Sequence, residues 1–353
     1  AQAAASAALR VPPVRRVAVV GGTHGNELTG AWVAKRLQLA PATLARPSFE
    51  SFEAVIGNPK AYAATRRFVD QDLNRQFLES SLADLSEPGY EAQRAKVLDG
   101  RLGPKRRWRA GGPAAGGGGV DFAVDLHTTT SAMGVCLIAE PWSPVGVAAA
   151  CWCQRRLRPL VEAGALPEVR VVLESLDRAS SPHLISAARE GLMIEVGPVP
   201  QGLLLADACR WTEAAAAAVA DFLEALNAGA SLDLPRAAMV YRDLGAKVPA
   251  PLGPDGKPEA LFHAEFQGRD FLPLRTGDPI FQRITGETIA YGGEHGDLVW
   301  PLFVNEAAYY LPESGLGFGV SRYEEVEVPQ VVCQDAAGGA SRPAAGPAAA
   351  HSG

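Results

Sequence analysis

Val17-Ala18-Val19-Val20-Gly21-Gly22-Thr23-His24-Gly25-Asn26-Glu27 decides how this chain is read. An apolar run, the strand candidate of residues 16–22, enters a glycine turn. From Glu27 to Leu39, Leu28, Trp32, Val33 and Leu37 recur at helical spacing. Strand, turn and helix in that order open an α/β unit, and the pattern continues outward. Ser51–Ile56 reads as a second strand, closed by the turn signal Gly57-Asn58-Pro59. Further strands are predicted over 122–126, 135–138, 169–173 and 192–196, with helices over 152–163 and 212–228. Strands alternating with helices predict an α/β domain with a largely parallel sheet, in which sites collect beyond the carboxyl ends of strands. His24, His127 and Glu195 all fall at or near such ends.

The chain has 353 residues, 47% hydrophobic and 20% charged, an ordinary globular composition with ample material for a core. A net charge of −6 argues against a general nucleic-acid surface. Five irregularly spaced cysteines suggest reduced thiols rather than a disulfide framework. No run is long and apolar enough for a membrane span, since Asp221 and Glu224 interrupt the Ala-rich stretch near 214–220. A cytoplasmic protein without stable membrane insertion is expected.

After about residue 235 short β-like runs take over, including Val240-Tyr241, Leu261-Phe262, Ile280-Phe281, Thr288–Ala290 and Val299–Val304. The expected organisation is a disordered extension over 1–15, an α/β domain over 16–234, a smaller β domain over 235–330 and a disordered tail over 331–353. Residues 110–119 read as a flexible Gly-rich loop without the Gly-Lys-Ser/Thr of a phosphate cradle. The basic run Lys105-Arg106-Arg107-Trp108-Arg109 before it reads as a solvated loop.

His24, Glu27 and His127 together read as a catalytic zinc site. Such sites take three protein ligands, His and carboxylate, and leave a fourth position for water. Alone, His24-x-x-Glu27 reads as a loop histidine beside a surface carboxylate, and its company in this chain reverses that reading. Asp125 lies two residues before His127 and so on the same strand face. It is placed to orient one of the histidines, or else to cap the following turn. Residues 66–75, Arg-Arg-Phe-Val-Asp-Gln-Asp-Leu-Asn-Arg, concentrate cations and an amide suited to a carboxylate. Glu195 in Leu192-Met193-Ile194-Glu195-Val196 is costly to bury unless paired or used. Apolar surroundings raise such a carboxyl toward the range useful for proton transfer, a structural ion pair being the alternative.

Five segments resemble the aspartoacylase family. They are Gly-Gly-Thr-His-Gly-Asn-Glu-Leu-Thr-Gly (21–30), Val-Asp-Gln-Asp-Leu-Asn-Arg (69–75), Asp-Leu-His-Thr-Thr-Thr-Ser-Ala-Met-Gly (125–134), Ile-Glu-Val-Gly-Pro-Val-Pro-Gln-Gly (194–202) and Phe-Val-Asn-Glu-Ala-Ala-Tyr-Tyr (303–310). The resemblance spans about residues 15–325. It implies a zinc carboxypeptidase-like α/β fold, a mixed sheet flanked by helices, with a smaller C-terminal β domain shielding the cleft. It also implies one zinc on His24, Glu27 and His127, with Glu195 as proton shuttle and Arg67 as oxyanion stabiliser. Asn74 and Arg75 would hold the substrate carboxylate, and Tyr309 would contact substrate from the second domain. The expected partners are a small N-acyl amino acid and further copies of the chain.

Within that family, aspartoacylase-like members carry a Tyr-x-x-x-Arg segment ending ten residues before the catalytic Glu. Here those positions are Ser181 and Ile185, with His183 between them. The loss of that cation, and a pocket lined by Ile185, point to the aminoacylase III branch, which takes aromatic or S-substituted cysteine side chains. N-acetylaspartate hydrolysis is the runner-up. A metallocarboxypeptidase and a catalytically inactive zinc-binding protein are the more distant alternatives.

Overall fold

The computed structural model describes residues 8–108, 118–311 and 314–334. A ten-stranded mixed sheet organises the chain. One half consists of Ser51–Ile56, Arg16–Gly21, Phe122–Thr128 and Glu190–Gly197, side by side and all parallel. Next comes Gly134–Ala139, antiparallel to Glu190–Gly197, and then Val169–Leu173, parallel to it. The sheet is therefore mixed, and its direction reverses in the middle. The short link 129–133 explains the reversal, because a parallel connection needs a crossover of a dozen residues or more.

The run Val17–Val20 is buried on both faces, which is why it is continuously apolar. Val17 and Val19 pack into the larger core with Val33 and Leu37 of helix Leu28–Leu39. Ala18 and Val20 face a second core with Ala95, Leu98 and Leu102 of helix Tyr90–Leu102. Each such valine or leucine contributes about 1.5–3 kcal/mol on burial. Helix Tyr90–Leu102 has no counterpart in the sequence reading, since alanines carry much of its buried face and leave a weak periodicity. Helices Pro144–Glu162 and Ala206–Asn227 complete the larger core, and both begin several residues before the predicted positions.

The β-rich part continues the main sheet past residue 235. Ala237–Pro249 pairs in parallel with Val169–Leu173, and Gly317–Glu327, Leu298–Leu302 and Leu274–Arg275 extend the same sheet. A three-stranded sheet of Ala260–Phe262, Pro279–Arg283 and Thr288–Ala290 sits beyond it. The expected disordered ends are corrected in part: Leu9–Val11 forms a parallel ladder with Val331–Cys333. Residues 1–7, 335–353 and most of the expected Gly-rich loop lie outside the described residues. The basic run before that loop is not solvated throughout. Lys105 is fully buried, donating from Nζ to the carbonyls of Phe77 (2.8 Å) and Ser181 (2.6 Å), and Trp108 Nε1 donates to the Ala187 carbonyl. Among the described residues no helix is long and apolar enough to cross a membrane, and all five cysteines are free and buried.

Candidate active site

The site forms at the carboxyl ends of the parallel half-sheet. A Cβ on Gly21 would lie 1.9 Å from the Gly30 carbonyl oxygen, and one on Gly30 2.5 Å from that of Leu126. Only glycines let helix Leu28–Leu39 lie this close to two strands, and that closeness aims its N-cap residue, Glu27, at His127. The positive end of the helix also favours the carboxylate there.

Glu27 stands between the two imidazoles. His24 Nδ1 is 2.6 Å from its Oε1, and His127 Nδ1 is 3.1 Å from its Oε2. The outer nitrogen of each ring meets another carboxylate: His24 Nε2 lies 3.0 Å from Asp72 Oδ1, and His127 Nε2 lies 2.8 Å from Asp125 Oδ2. These carboxylates are held in turn, Asp125 by the Thr23 hydroxyl at 2.7 Å and Asp72 by Arg67 Nη2 at 3.0 Å. Burial alone would neutralise Glu27, yet His24 and His127 hold its carboxyl well below the usual range. Burial likewise opposes charging His127, but Asp125 and Glu27 outweigh it and keep the ring basic.

Three buried donors, all within 4.8 Å of one another, fit a metal centre, and carboxylates backing both rings fit it further. The Asp125 expectation thus takes the form of a contact with His127. Asp72, grouped in the sequence reading with a substrate-binding loop, backs His24. Asp72→Asn and Asp125→Asn are each expected to weaken divalent-metal binding roughly 10–100-fold. Competition with a fluorescent chelator measures this, and unchanged affinity would free the rings from dependence on those carboxylates.

Glu195 lies level with His127 in the adjacent strand and opens onto the same cavity. Burial, reinforced by Glu27 and Glu306, raises its carboxyl well above the usual range against the pull of His127 and Arg67. Arg67 donates to Glu27 Oε1 at 3.2 Å as well as to Asp72, which leaves two of its five N–H donors free. Its loop is shaped by Glu91, buried in helix Tyr90–Leu102, whose carboxylate accepts the backbone N–H groups of Val69, Asp70 and Gln71. Asn74 accepts from Leu184 N at 2.8 Å and lies 3.9 Å from the Met193 sulfur, while the more exposed Arg75 also lines the cavity. Tyr309 closes one side, with the Lys247 ammonium 3.4 Å from its ring centroid.

The cavity brings these residues together in about 260 Å³. Its remaining walls include Ile138, Met193, Leu302 and Phe303, together with Glu174, His183, Asp243 and Lys247. None of the last four was singled out as a site residue, and His183 alone carried a signal, lying between Ser181 and Ile185. Ile185 itself does not line the cavity. It is fully buried, packs against Gly191 and supports the apolar wall from behind. Ser181 also turns away, donating to Glu140 Oε1 at 2.9 Å.

Two carboxylates fasten the C-terminal part to the loop after His127. Glu306 accepts from the Thr129 hydroxyl and from Thr130 N (2.9 Å) while capping Ala308 N (2.8 Å). Asp270 accepts from Ala132 N and Val304 N.

Residues 13–223 match the succinylglutamate desuccinylase/aspartoacylase catalytic domain, and residues 252–318 match the AstE/AspA barrel-sandwich hybrid domain. The chain belongs to the succinylglutamate desuccinylase/aspartoacylase family. It is 41% identical to the human N-acyl-aromatic-L-amino acid amidohydrolase (carboxylate-forming) over 309 residues, 87% of this chain and 90% of the human one. A probable aspartoacylase of Nostoc sp. is 37% identical over 297 residues, covering 84% of this chain and 93% of its own. The crystal structure of murine aminoacylase 3 superposes with a TM-score of 0.79 at 38% identity, covering 90% of this chain and 98% of the murine one.

Proposed function

We propose that the chain is a zinc-dependent amidohydrolase that converts N-acyl amino acids to a carboxylate and a free amino acid, preferring aromatic, other apolar and S-substituted cysteine side chains. One observation carries the reading: two carboxylate-backed imidazoles around Glu27 open onto the same small cavity as Glu195 and Arg67. Its size, at the small end of ligand pockets, suits one acylated amino acid better than a peptide. The name of the human relative and the fold of the murine enzyme support the same choice. Buried, free thiols suit action in the reducing cytoplasm.

His24, Glu27 and His127 would hold the metal, and zinc supplies Lewis acidity and a water acidified to a pKa of about 7. Asp72 and Asp125 fix the ring orientations from behind. Glu195 would accept a proton from the attacking water as the new C–O bond forms at the acyl carbon. The two remaining N–H donors of Arg67 would stabilise the charge that develops on the carbonyl oxygen. As the C–N bond breaks, Glu195 returns its proton to the leaving nitrogen. Asn74 and Arg75 would grip the α-carboxylate, and Tyr309 would cover the bound substrate.

The apolar walls and the carboxylates of Glu174 and Asp243 disfavour a second carboxylate on the substrate. N-acetyltyrosine is expected to exceed N-acetylaspartate in kcat/KM by roughly tenfold or more, and an amidated substrate should react poorly. Arg75 and Lys247 are the observation that favours the second reading, aspartoacylase activity, since two cations could meet two carboxylates. A kcat/KM comparison that ranks N-acetylaspartate first would select it.

A further inference from the structure

Glu140, Glu174 and His183 form a second cluster of ionisable groups, Glu174 and His183 lining the same cavity with Glu140 behind them, and no step of the reaction above uses it. Glu140 is fully engaged. It accepts from Ser181 Oγ at 2.9 Å, from His183 Nδ1 at 2.8 Å and from Trp142 Nε1. Glu174 is not. Its Oε2 lies 3.2 Å from the same His183 Nδ1, but that nitrogen has one hydrogen, and Glu140 takes it. Glu174 Oε2 is thus enclosed against His183 without a hydrogen bond of its own, while the residue itself lines the cavity. His183 and Arg75 keep Glu174 ionised against its burial, and a charged oxygen left without a donor is costly.

Strand register shows where this carboxylate stands. His127, Glu195 and Cys136 lie in one row across the sheet. Two residues along, Met193 pairs with Ile138 and forms an apolar floor. Glu140 and Glu174 follow one residue beyond the pair Ala139 and Leu173, so they are two further residues along. Rows four residues apart are separated by roughly 13 Å of strand. Asn74 rests on Met193, between the two ends. A substrate with its acyl group at Glu195 and its α-carboxylate at Asn74 lays its side chain over Met193 and Ile138 and directs the tip toward Glu174.

We infer that Glu174, steadied by His183, is a specificity-determining residue that accepts a hydrogen bond from a donor at the tip of an aromatic side chain, a phenol above all. The inference rests on the amidohydrolase reading. It predicts discrimination within the aromatic class: tyrosine-type substrates over phenylalanine-type, and a phenol over its methyl ether, which keeps the oxygen but has no hydrogen to donate.

The test measures kcat/KM for N-acetyltyrosine, N-acetylphenylalanine and N-acetyl-O-methyltyrosine, with metal content, in the wild-type chain and in Glu174→Gln and Glu174→Leu. A hydrogen bond to a charged group makes the wild-type tyrosine-to-phenylalanine ratio roughly 10–100. Glu174→Gln should lower the ratio several-fold and Glu174→Leu should bring it near 1, with O-methyltyrosine grouped with phenylalanine throughout. The glutamine variant decides if the leucine variant does not fold. A wild-type ratio near 1, or variants that lose both activities in proportion, would overturn the inference while leaving the amidohydrolase reading intact. Two metals per chain falling to one in Glu174→Gln would overturn it in favour of a second metal site. No turnover of any of the three would instead remove the reading on which it rests.

Discussion

Glu195→Gln is expected to lower kcat by roughly 10²–10⁴, the usual loss when a positioned general base is removed, with metal content unchanged. The amide keeps the shape of the side chain but cannot take a proton from water or return one to the leaving nitrogen. Glu195 lies beside the donor cluster rather than within it, and the three donors converge without it. KM should therefore move far less than kcat. Stopped assays on N-acetyltyrosine, paired with metal analysis, check this. Near-normal turnover would take Glu195 out of the reaction and leave its raised carboxyl pKa without a role.

His127→Ala should abolish both stoichiometric zinc and turnover. The substitution removes one of three donors and leaves Asp125 buried, with Thr23 as its remaining side-chain partner. An uncompensated buried carboxylate is itself destabilising by a few kcal/mol, so folding must be confirmed by circular dichroism before metal is counted. In the wild-type protein, X-ray absorption should place zinc about 2.0–2.2 Å from nitrogen and oxygen donors. A folded His127→Ala variant that retained one tightly held zinc would refute the ligand assignment.

The parts of the site that could be read from sequence are those whose geometry is local. His24 and Glu27 share one turn, and Asp125 and His127 share one strand face, so spacing alone predicts their company. Glu306 and Thr129 are 177 residues apart, and their contact exists only because the C-terminal strands continue the main sheet. Asp243 and Lys247 meet the cavity for the same reason, Glu174 because it follows the strand Val169–Leu173 with which their own strand pairs, and nothing near them in sequence signals it. Asp72 was visible in a loop rich in charge, but which charge faces a histidine depends on how Glu91 folds that loop. Ile185 shows the opposite error. Counting back from Glu195 places it at the pocket, whereas the turn Leu184–Ala187 rotates it behind the wall and leaves His183 in front.

The reversal of strand direction in mid-sheet divides labour within a single cavity. The proposed metal donors, Arg67 and Glu195 come from the half that runs one way, on strand ends and the loops that follow them. Glu174, Asp243 and Lys247 come from beyond the reversal, and Tyr309 from a segment later still. On the proposed mechanism, bond-breaking and substrate choice therefore have separate supports. A lineage can remodel the second set to admit a different side chain while the first stays untouched, which lets one scaffold diversify its diet without rebuilding its reactive centre.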